Sequence, residues 1–180
     1  MRTYIALFRG INVGRSNALS MKELIALLEK LGAQDVKTYI QSGNVVLRAK
    51  EKDASKISNQ IGAEIRRRRG FEPHVLFLEV AELEKAIAQN PFPEAESEPK
   101  TLHIGFLDSA PTNPNLKALG GLKTTSERFV LKHNVFYLHA PDGIGRSKLA
   151  ANAERLLGVS MTDRNWRTVC KIAMLAKEYN

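Results

Sequence analysis

Glycine, arginine, serine and asparagine recur together at places in this chain where an anion could be held. "GINVGRSN", residues 10–17, lies between an apolar run and a helical pattern. Its backbone N–H groups and Arg15 could close on a phosphate at a helix start. Only three residues separate Gly10 from Gly14, and Arg-Ser follows where a P-loop needs Lys-Ser or Lys-Thr after four. The spacing is not G-x-G-x-x-G either, which leaves a simple anion loop or a turn in which Asn12 and Asn17 bond their own backbone. "DGIGRSKL", 142–149, repeats Gly-Arg-Ser ahead of a helix, with Ser147 as its natural N-cap and Arg146 and Lys148 beside it. In "TDRNWRTVCK", 162–171, helical spacing sets Trp166, Val169, Cys170 and Ala173 on an apolar stripe. Arg164, Arg167 and Lys171 then form a basic stripe beside it that could grip phosphates.

Other chemistry is not visible. His74, His103, His133 and His139 show no metal-ligand spacing, so neither a metal nor another cofactor is expected. Ser42 has no histidine or carboxylate tied to it by motif, and Asp35, Asp108 and Asp163 suit loop or capping roles. Cys170, on the apolar stripe, reads as a buried thiol rather than a nucleophile. Arg66–Arg69 ends a helix, where cations complement the dipole and are usually solvated; nucleic-acid contact is the sharper alternative. Neither "NVVLRA" nor "VFYLHA" carries the aromatics of an RNA-recognition strand, although Tyr4 and Phe8 could stack bases if exposed.

The elements that must position these groups follow one order twice. Residues 3–8 alternate as a strand, and Ser20 to Glu23 forms a capping box for a helix through Leu24, Leu27, Leu28 and Leu31. Strands at 36–40 and 44–48 flank the turn "QSGN". Asp53 can cap a helix through Ile57, Ile61 and Ile65 that ends at Gly70, and residues 74–78 form a fourth strand before a short helix at 80–89. This β-α-β-β-α-β order is that of a ferredoxin-like unit. A second series comprises a strand at 101–107, a helix near 113–119 with Pro114 in its first turn, a hairpin around Asn134 and a helix from Ser147 to Leu157. Its fourth strand is weak or missing, and a C-terminal helix at roughly 164–178 stands in its place. The expected fold class is therefore α+β, with duplicated ferredoxin-like (βαββαβ) units, the second modified with a C-terminal helix. The expected organisation is a unit at 1–90, an exposed Pro/Glu-rich linker at 90–100 ("NPFPEAESEPK") and a second unit at 101–180.

The chain has 180 residues, 43% of them hydrophobic and 26% charged, enough for a sizeable core. No run approaches the length of a membrane span, and "YIALF" is too short for a signal-peptide core. One cysteine excludes an internal disulfide and suggests a cytoplasmic protein. A net charge of +8 favours anionic partners. Both halves share the basic excess, while Glu94, Glu96 and Glu98 make the connector acidic.

Taken in order, "RGINVG", "TYIQSGNVVL", "NPF", "GIGRSKL" and "TDRNWRTVCK" resemble the bacterial family known as domain of unknown function 1697, from Tyr4 to about Lys177. The family pattern usually has Gly-Gly where this chain has Gly14-Arg15. The resemblance implies an α+β protein with ferredoxin-like halves and no established activity or cofactor. It marks Arg9 to Gly14, Gln41 to Asn44, Gly145 to Lys148 and Arg164 to Lys171, glycine-containing polar loops better suited to binding than to packing.

The resulting expectation is an anionic ligand, nucleotide-like or nucleic acid. Arg9, Arg146, Arg164 and Arg167 would contact phosphate, together with Lys148 and Lys171; Asn12, Gln41, Asn44 and Asn165 would orient the ligand; Gly14 and Ser147 complete the ligand-binding set. A small-molecule enzyme without a recognisable motif and a protein-interaction module are the alternatives. Oligomeric state is not legible in the sequence.

Overall fold

A computed structural model describes residues 1–14 and 16–179; Arg15 and Asn180 lie outside the described residues. The chain forms two compact units. One comprises Met1–Glu84 together with the chain from Lys171 onward, the other Lys85–Cys170.

In the first unit β1 (Arg2–Arg9) alternates as its sequence requires: Tyr4, Ala6 and Phe8 face one side of the sheet, Ile5 and Leu7 the other. α1 (Met21–Lys30) starts where Ser20 Oγ accepts from the Glu23 N–H (3.2 Å). β2 (Gln34–Tyr39), β3 (Asn44–Ala49), α2 (Glu51–Arg69) and β4 (His74–Glu79) complete the unit. The sheet is antiparallel in the order β2-β3-β1-β4, so the two strands joined through each helix are parallel with one strand between them. Leu24, Leu27 and Leu28 of α1 and Ile57, Ile61 and Ile65 of α2 close over Tyr4, Ala6, Phe8, Val45 and Leu47. Tyr4 and Phe8 are therefore core residues and offer no stacking surface. α2 begins one turn before its expected cap: Lys50 is the N-cap, without a side-chain bond, and Asp53 sits in the first turn. Its acidic start and the cations at Arg66–Arg69 both complement the helix dipole.

α3 (Val80–Ala88) follows, and the expected linker is partly folded: residues Pro93–Ser97 make a short 3-10 turn whose Phe92 and Ala95 are buried. The second unit contains β5 (Leu102–Leu107), α4 (Leu116–Leu122), β6 (Arg128–Lys132), β7 (Val135–His139), α5 (Lys148–Leu157) and β8 (Met161–Asn165). Its sheet order, β6-β7-β5-β8, reproduces that of the first. Leu107, Phe136, Leu138, Leu119, Leu149, Ala153 and Leu157 form its core. Asn115 caps α4 through its side chain, which puts Pro114 just before the helix rather than in its first turn.

β8 corrects the expectation of a weak or missing fourth strand. "MTDRN" carries one large apolar residue, so no alternation announces it. Tertiary context decides instead: β5 is buried along its whole length, and its backbone needs a partner on the side away from β7. Gly105 admits that partner, since a Cβ there would lie 2.3 Å from Met161 Sδ. α6 (Trp166–Lys177) follows directly and begins two residues later than expected. No helix among the described residues is long and apolar enough to cross a membrane.

Candidate functional site

The first loop is held by its own side chains. Asn12 Nδ2 donates to the carbonyls of Leu19 (2.8 Å) and Gln41 (2.7 Å), and its Oδ1 accepts from the Leu19 N–H (2.8 Å). Asn17 Nδ2 closes the base on the Gly10 carbonyl (2.8 Å), and the Ser16 N–H closes the tip on Val13 (3.1 Å). Asn12 and Asn17 both adopt left-handed backbone, which asparagine tolerates. These bonds are the local turn chemistry, so Asn12 is a positioning residue of the loop rather than a ligand group. Gly14, at φ +60, forms the exposed tip, and Arg15 lies outside the described residues.

The hairpin turn is docked on this loop. Besides the Asn12–Gln41 bond, the Phe8 N–H donates to the Gly43 carbonyl (2.8 Å). A Cβ on Gly43 would stand 2.5 Å from Phe8 Cβ and 2.7 Å from Ile11 Cδ1, so the approach requires glycine. Asn44, 1% exposed, is spent within the turn on the Tyr39 carbonyl and Ser42 Oγ. The structure thus brings together the motifs at Arg9–Gly14 and Gln41–Asn44, and leaves Arg9 and the Gln41 side chain exposed beside them. Arg66, Arg67 and Arg69 at the end of α2 are paired with Glu72, Glu64 and Glu23.

In the second unit, register decides proximity. Leu102 pairs with His139 and His103 with Asn165. The loop after β7 and the start of α6 therefore leave the same end of the sheet, about 10 Å apart across two strand spacings. Two helix N-termini share this end. Ser147 Oγ caps α5 by accepting from Ala150 N–H (3.0 Å), and Asn165 Oδ1 caps α6 by accepting from Thr168 N–H (3.0 Å). Both polar groups assigned to a ligand by sequence are capping groups. Arg146, Lys148 and Arg167 are exposed around them.

Arg164 is not on the helix. It lies in β8, donates from Nη1 to the Asp163 carbonyl (2.8 Å), and burial pushes its guanidinium down to about 10 against the opposing effect of Asp163. The basic stripe Arg164–Arg167–Lys171 is accordingly broken at its first member by the strand-to-helix change. Lys171 is half-buried in α6.

Two clusters had no sequence signal because their members are distant in the chain. His103 Nδ1 meets Asp163 Oδ2 (2.9 Å) and Nε2 meets the Lys100 carbonyl (3.1 Å). Both ring nitrogens of this buried histidine are thus engaged within the protein. His139 Nδ1 accepts from Arg128 Nη2 (3.0 Å); that guanidinium lies 4.7 Å over the Phe92 ring and pairs with Glu94. Burial pushes the Cys170 thiol up, which makes thiolate chemistry unfavourable.

Residues 1–137 match the profile of a family described as "Protein of unknown function (DUF1697)". The chain belongs to that family. No curated protein matches it. Among solved structures, a conserved bacterial protein from Streptococcus pneumoniae is similar to this DUF1697 chain: 21% identical, TM-score 0.62, covering 97% of this chain and 98% of that one. At that identity the likeness shows the fold alone. The matched span of DUF1697 includes the interlocked loop and hairpin and ends inside β7, ahead of the Gly145 loop and α6.

Proposed function

We propose that this protein binds nucleic acid through phosphate contacts, in a cytoplasmic setting consistent with its single thiol. The carrying observation is the shared end of the second sheet, where the N-termini of α5 and α6 open among exposed Arg146, Lys148 and Arg167. An extended polyanion can use several of these cations at once, which one small phosphate would not. The asparagines and Ser147 hold the scaffold, and cations carry the affinity.

The test is fluorescence anisotropy with labelled single-stranded RNA and DNA, titrated across salt. The triple variant Arg146→Glu, Lys148→Glu, Arg167→Glu should lose at least about tenfold in affinity and flatten the salt slope by about 2, at roughly 0.7 per phosphate contact. Acidic residues suit the first turn of a helix, so at positions 148 and 167 the substitutions favour folding and a loss cannot be put down to unfolding. An unchanged slope overturns the reading. Tight, salt-insensitive binding of mononucleotides would move it to a small-molecule site.

A further inference from the structure

Ile40 and Val13 are placed where neither stability nor solubility explains them. Ile40 has φ +51, in the left-handed region that favours glycine or asparagine, yet it is β-branched. Its side chain is 53% exposed, so burial does not compensate for the backbone. Val13, at the tip of the neighbouring loop, is 64% exposed. Each is one residue from the Asn12–Gln41 hydrogen bond, so the two aliphatic side chains stand on adjacent, mutually braced loops. Backbone strain held in a rigid frame is characteristic of functional positions.

Their surroundings are cationic and polar. Arg9 ends β1 at this same edge, the Gln41 side chain is exposed between the loops, and Arg68 and Lys22 stand at the helix ends that flank them. A complementary partner must alternate anionic groups with apolar faces over a few ångströms, which a single nucleic-acid strand with unstacked bases does. A lipid-inserting loop would be expected to carry an aromatic anchor such as Trp or Phe, and neither residues 10–17 nor 40–43 hold one.

We propose that Ile40 and Val13 form an aliphatic wedge that enters between consecutive bases of a bound strand while neighbouring cations hold its phosphates. The proposal rests on the nucleic-acid reading above. It assigns the pair a specific act, the separation of stacked bases.

The experiment uses the full chain and single strands carrying 2-aminopurine, whose fluorescence rises on unstacking. The wild-type protein should bind with a rise in fluorescence. Ile40→Gly and Ile40→Asn both accept the left-handed backbone, so their melting temperatures should hold or rise. Their affinity, and that of Val13→Ser, should fall about fivefold with loss of the fluorescence rise, as expected when an unstacking contact is removed. Binding by the wild type with equal affinity and fluorescence in the variants overturns the wedge and leaves the nucleic-acid reading standing. No strand binding by the wild type overturns both. Co-sedimentation with phosphatidylglycerol vesicles that the variants lose, without any effect on strand binding, overturns the wedge in favour of a lipid surface.

Discussion

Removing the Asn12 side chain takes away three hydrogen bonds, two of them within the loop and one to the hairpin. Asn12→Ala should cost about 2 kcal/mol in urea unfolding, several neutral hydrogen bonds being only partly replaced by water. Gly43→Ala should cost more, about 3 kcal/mol, because it adds left-handed strain to a clash with Phe8 and Ile11. His139 offers a pH readout. Burial and the Arg128 charge push its imidazole below 6.5, against the opposing pull of Glu94 and Glu98. The folded state therefore favours the neutral ring, whose Nδ1 accepts from Arg128. Stability from this group is full above pH 6.5 and declines as pH falls through the lowered folded value, since the unfolded chain takes the proton first. His139→Gln keeps an acceptor that does not titrate, so its urea midpoint should change less between pH 7.5 and 5.5 than the wild type's.

At the scale of elements, Ser20 and Ser147 cap the helices expected of them, Asp53 does not cap α2, and Asn165, expected to orient a ligand, caps α6. Ser147→Ala should destabilise by about 1 kcal/mol, as should Asn165→Ala, whereas Asn165→Asp should retain the stability of α6. Most elements were legible in the same way: alternation in β1, the isoleucine spacing of α2, and the left-handed glycines at its end and at the end of α5. β8 was not, because a polar five-residue strand is made by the edge it pairs with and not by its own pattern. That miss carried Arg164 and Asn165 onto the wrong element. The candidate site was legible as residue types but not as roles. A sequence shows that asparagine can serve a ligand or a backbone, and only the fold shows that Asn12 and Asn44 are already committed. Ile40 was invisible for a related reason: its strain is a property of a dihedral angle, not of composition.

For the whole molecule, the last stretch of α6 and the residues after it complete the first unit. Ile172, Ala173 and Ala176 are buried, Tyr179 donates its hydroxyl to the Asp35 carbonyl, and Glu178 pairs with Lys37 on β2. Deleting the chain after Cys170 should speed amide exchange in β2 and lower the melting temperature; unchanged protection there would show the segment to be dispensable. The same arrangement has a consequence in time. The second unit is one continuous stretch, whereas the first is assembled from two segments, one made before the second unit and one after it. A chain growing from N to C terminus can thus finish its later unit while its earlier one still waits for its closing residues. A stalled or prematurely terminated product would be incomplete at its oldest part.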